Sequence, residues 1–64
     1  MNLIKGIQEE LNRCRELLQV YREIPTGAFG AAVVEQSINE GEAAIASGDT
    51  VRMLAAYTDL QARK

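Results

Sequence analysis

Apolar residues recur at Ile4, Ile7, Leu11, Cys14, Leu18 and Tyr21, at spacings of 3, 4, 3, 4, 3. This is the rhythm of a helix that packs lengthwise on another helix. Leu3, Leu17 and Ile24 lie beside the line and widen it on one flank. Charged and amide residues fill the intervals, with Glu10 and Glu9 placed to pair with Arg13. Asn2 is a suitable cap. The pattern predicts a first helix over about residues 2–23, about 30 Å long at 1.5 Å per residue. Gly6 is its weak point, costing about 1 kcal/mol relative to alanine.

Pro25 stops that helix, because it lacks the N–H a continuing helix needs and biases Ile24 away from helical geometry. Thr26 is the expected cap of a second helix over about residues 27–47, with Gly27 permitting a tight backbone. Gly27, Ala31, Val34, Ile38, Gly41 and Ile45 form one row along it, and Gly30, Ser37 and Ala44 form the adjacent row. Residues this small fill a core poorly, so another backbone is expected to come close. It belongs either to the hairpin itself or to a second protomer, and a flat ligand could use the same space. Phe29, in the first turn, is expected to plug the closed end of the hairpin. Ser47-Gly48-Asp49 then reads as a left-handed stop and a new cap. A third helix over about residues 50–62 follows, with Met53, Leu54, Tyr57 and Leu60 on one face.

The fold class expected is therefore all-α: an antiparallel helical hairpin plus a short third helix, one domain over residues 1–64, self-associating. Short connections between antiparallel helices make such hairpins. A chain of 64 residues buries a modest core, which is one reason to expect a homo-oligomer.

Composition narrows the chemistry. Cys14 is the single cysteine and histidine is absent, so no disulfide framework and no His/Cys metal site is expected. Cys14 sits on the apolar line and reads as a small core residue. The first ten residues carry Lys5, Glu9 and Glu10 and no long apolar run, unlike a signal peptide. Nothing later has membrane-spanning length. The expected location is the cytoplasm. A formal net charge of −2 disfavours generic nucleic-acid binding, although a small anion needs only a few local donors. Between Arg22 and Arg52 every charge is acidic, at Glu23, Glu35, Glu40, Glu42 and Asp49. Such a run is a solvated face or a surface for a basic partner.

No nucleophile has an evident base and no carboxylate pair has the spacing of a dyad, so no enzymatic activity and no cofactor is expected. Gly27-Ala28-Phe29-Gly30 lacks the Gly-Lys-Ser/Thr of a Walker loop and the preceding strand of a dinucleotide fingerprint. The N–H groups at this helix start still favour an anion. Tyr21 as stacker, Arg22 as phosphate cation, and Thr26, Gly27 and Phe29 at the helix start form the candidate ligand site. The competing reading leaves Arg22 solvated and Tyr21 in the core.

At Arg13-Cys14-Arg15-Glu16-Leu17-Leu18 with Tyr21, at Gly27-Ala28-Phe29-Gly30-Ala31-Ala32, and at Glu42-Ala43-Ala44-Ile45-Ala46-Ser47-Gly48-Asp49 with Met53-Leu54 and Tyr57, the chain resembles short helical proteins of bacteriophages and prophages. No settled activity is attached to that group. In size, hairpin and close-packing second helix the chain is also similar to the phage anti-defence sponges, which oligomerise and sequester the cyclic nucleotide signals of bacterial immunity. The resemblance implies a viral accessory protein in a bacterial host. The leading expectation is capture of a cyclic nucleotide. The alternatives are an inhibitor whose acidic Glu35, Glu40 and Glu42 block a host protein, and an assembly protein with no ligand.

Overall fold

The Asn2 side chain accepts the Lys5 N–H at 3.0 Å and opens α1, which runs Leu3–Glu23. The chain is known here from a computed structural model, which describes residues 2–64. It continues as α2, Ala28–Ser47, and α3, Thr50–Gln61. Each helix packs on both others. Among the described residues there is no strand. The bundle measures 37 × 17 × 16 Å, so its long axis is the length of α1.

Buried Ile7, Leu11, Cys14 and Leu18 form the α1 seam, with Tyr21 packed against its end. Ile4 belongs to the same periodic line but is 43% exposed, because it stands in the first turn at the open end of the bundle. The widening flank is where α3 lies. Tyr57 covers Gly6, where an added Cβ would stand 3.2 Å from the ring. Further along, Arg13 donates to the carbonyls of Leu60 at 2.7 Å and Arg63 at 2.8 Å. The Leu60 carbonyl, in the last turn of α3, also accepts the Arg63 N–H at 3.1 Å, and the Arg63 carbonyl lies just beyond the helix. Tyr57 thus matches the start of α1 and Arg63 its middle, so α3 runs parallel to α1 and antiparallel to α2.

Both small-residue rows of α2 turn inward, since this helix is wedged between the other two. Val34, Ser37, Ile38, Gly41 and Ala44 are buried. An added Cβ on Gly41 would stand 3.0 Å from both Leu11 Cδ2 and Leu60 Cδ1. The close approach expected of these residues is therefore made within one chain, by α1 and α3 together.

The α1–α2 turn differs from expectation in its capping. Gly27, not Thr26, is the N-cap, and no side chain caps α2. Ile24 accepts the Gly27 N–H at 2.9 Å, a tight turn that brings Gly27 onto the Tyr21 carbonyl. An added Cβ would collide with that oxygen. At the other end Gly48 takes φ 70°, the left-handed stop, and Asp49 accepts from Val51 and Arg52 to start α3. The buried face of α3 is Met53, Ala56 and Leu60. Leu54, expected on that face, is 52% exposed. It lies roughly 100° around the helix from Met53, outside the stripe that residues three and four apart define. Phe29 is 83% exposed and plugs nothing. With Tyr21 lying over Gly30, the interior at this end is already closed.

Candidate functional site

Tyr21 is the fixed point of the closed end. Its ring lies against Gly30, where an added Cβ would be 2.5 Å from Cε1. Its hydroxyl donates to the Lys64 carbonyl at 2.5 Å. The parallel course of α3 makes this possible by carrying the C-terminal segment back to the last turns of α1. Tyr21, Phe29, Gly30, Val33, Ala62, Arg63 and Lys64 consequently line one cleft of about 330 Å³. That is near the lower bound for a small-molecule site. Phe29 stands out into solvent on one wall.

The remaining predicted residues behave differently. Arg22 donates to Glu35 at 2.8 Å and is not part of the cleft. Thr26 is exposed, and its side chain does not cap α2. Gly27 is buried with its N–H spent on Ile24, so it offers no donor to a ligand. Tyr21 and Phe29 are therefore brought together, while Arg22, Thr26 and Gly27 are not brought to them. The cations beside the aromatics are Arg63 and Lys64. The sequence places them at the end of α3, and the direction of α3, on which their position depends, is set by tertiary packing. Arg63 is partly engaged, with Asp59 Oδ1 at 3.3 Å.

The acidic residues of α2 are not a free face. Glu35 pairs with Arg22 at 2.8 Å, Glu40 with Arg52 at 2.7 Å and Glu42 with Arg15 at 2.9 Å. Each pair links α2 to a neighbouring helix, and each is exposed enough that its net contribution to stability is small. The hydrogen bond from Arg52 lowers the Glu40 carboxyl below its ordinary pKa.

Cys14 is fully buried, and its Sγ lies 3.7 Å from the Leu60 carbonyl. Burial raises its thiol pKa, which keeps the sulfur protonated and unreactive. A larger depression of about 690 Å³ between α2 and α3 is lined by Ser37, Asn39, Glu40, Asp59 and Arg63. Its charged groups already pair with arginine or aspartate. Among the described residues, no group of three or more His, Cys, Asp or Glu side chains could hold a metal ion. No helix among them is long and apolar enough to cross a membrane.

No family model, no curated protein and no solved structure matches the chain.

Proposed function

We propose that the chain is a non-catalytic binding protein that captures a small nucleotide, of the cyclic signal class, at the cleft beside Tyr21. The observation that carries the reading is the convergence of Phe29 with Arg63 and Lys64 on that cleft. An aromatic ring 83% exposed on a helix offers a stacking surface. The adjacent guanidinium and ammonium groups supply charge for a phosphate. The N–H groups of Phe29 and Gly30 in the first turn of α2 add to the same field. Arg22, held by Glu35, has no part in this version of the site.

The cleft is small and open for a cyclic dinucleotide. A second protomer set against Phe29 would close it, so self-association belongs to the proposal. In a bacterial host, such a protein encoded by a phage would act in counter-defence by withdrawing the signal. The rival reading, an acidic α2 face that blocks a host protein, draws less support. It would have to break the pairs made by Glu35, Glu40 and Glu42.

Isothermal titration of the folded chain against cyclic di- and trinucleotides tests the proposal. Saturable heat is expected with at least one of them, abolished by Phe29→Ala and weakened by Lys64→Gln. Absence of heat across the panel removes the nucleotide reading. Sedimentation with and without the responding ligand tests whether the cleft is shared between protomers.

A further inference from the structure

The ion pairs divide the charged residues of this bundle unevenly. Arg13 pairs with Glu10, Arg15 with Glu42, Arg22 with Glu35, Arg52 with Glu40 and Arg63 with Asp59. Asp49 caps α3. Among the described residues, the carboxylates without an ion-pair partner are Glu9, which has Lys5 one turn before it, Glu16 and Glu23. All stand on α1, at a seven-residue interval that places them along one line of the helix.

Beside that line is apolar surface. Leu3, Gly6, Glu10, Arg13, Leu17 and Val20 form the flank row of α1, and Ile24, its C-cap, extends it. α3 covers it from Gly6, under Tyr57, to Arg13, which holds the Leu60 and Arg63 carbonyls. Leu17 is half-buried, and the row then emerges, with Val20 54% and Ile24 43% exposed. Val20 and Ile24 are one turn apart. Glu16 precedes Val20 by a turn and Glu23 follows it by nearly one, so the apolar pair is bordered by unpaired negative charge.

We infer that this end of α1 is a docking face for a basic amphipathic helix of another protein. Such a helix would set two apolar residues, one turn apart, on Val20 and Ile24 and place lysines or arginines against Glu16 and Glu23. It would continue along the flank row that α3 occupies earlier. Charge decides the occupant. An acidic or neutral helix would leave these carboxylates unpaired at the rim, whereas every arginine of the chain is already matched. The face is separate from the Tyr21 cleft, so it stands or falls independently of nucleotide capture.

The test uses the full chain and a fluorescent synthetic helix of leucine and lysine at helical periodicity, followed by anisotropy. Saturable binding is expected, falling by about tenfold or more as salt rises from 50 to 500 mM. The double variant Glu16→Lys/Glu23→Lys should abolish it, and Val20→Ser/Ile24→Ser should weaken it about tenfold. These positions are exposed, and circular dichroism of each variant confirms that the fold is kept. Amide shifts of the wild-type chain should move along residues 16–24. Binding that survives the charge reversal overturns the inference. So does equal binding of a serine–lysine peptide of the same charge, or amide shifts confined to other faces. Absence of saturable binding rejects the face. If the chain alone dimerises and Val20→Ser/Ile24→Ser makes it monomeric, the occupant is a second copy and the basic-helix assignment is wrong.

Discussion

The ring of Tyr21 occupies the space that a side chain on Gly30 would need, with its Cε1 2.5 Å from where that Cβ would stand. The same ring is tethered at its other edge, through its hydroxyl, to the Lys64 carbonyl. Gly30→Ala must therefore displace the ring or shift α2, and displacing the ring breaks the tether. The expected loss is about 1–3 kcal/mol, the usual cost of overpacking. In a domain of this size each kcal/mol lowers the melting temperature by roughly 4–8 °C. Thermal unfolding by circular dichroism measures it, and an unchanged midpoint would mean that the ring swings aside freely.

Thr26 and Gly27 should respond in opposite ways to alanine. Thr26→Ala removes no cap and should stay within about 0.5 kcal/mol of the parent. Gly27→Ala drives a methyl into the Tyr21 carbonyl, a contact with backbone that cannot rotate away. It should cost well over 1 kcal/mol. Urea unfolding of the pair distinguishes this turn from one capped by threonine, in which the order would reverse.

Phe29→Ala is expected to leave stability within about 0.5 kcal/mol, since the ring is exposed. A phenylalanine plug would instead cost about 3–5 kcal/mol on truncation. Loss of stability on that scale would refute the exposed placement, and with it the cleft that depends on this ring.

The Arg52–Glu40 pair predicts an acid limb. The carboxyl has a lower pKa folded than unfolded. Its contribution is therefore fully present above the ordinary glutamate pKa of about 4.3. It disappears as pH falls through the lower, folded value. Glu40→Gln should lower stability slightly at neutral pH, since the pair is exposed. The variant should lack the parent's loss as pH falls from the ordinary to the folded value, and match the parent below it. Parallel profiles for parent and variant between about pH 5 and pH 2 would show that the pair has no linkage to folding.

Much of this fold was legible from periodicity, and the failures have physical causes. The seam at Ile7, Leu11, Cys14 and Leu18 followed from spacing, as did the stops at Pro25 and Gly48. Hydrophobicity alone points Leu54 inward, but its angle around α3 does not, and the smaller Ala56 holds the buried position. A large aromatic such as Phe29 usually seeks cover, but Tyr21 fills that space against Gly30 and leaves Phe29 in solvent. Thr26 has the chemistry of a cap, yet the turn closes one residue later on a glycine that fits against the Tyr21 carbonyl. The cleft was only half legible. Tyr21 and Phe29 are near in sequence, whereas Arg63 and Lys64 reach them through the direction of α3, which local pattern does not encode.

The parallel course of α1 and α3 has a practical consequence for handling the molecule. Asn2 stands at the open end and Lys64 beside Tyr21 at the other, along a long axis of 37 Å. A dye or affinity tag joined ahead of Asn2 reports on the protein from a distance. A dye placed on Lys64 instead stands on the wall of the cleft that Tyr21 and Phe29 line and crowds it.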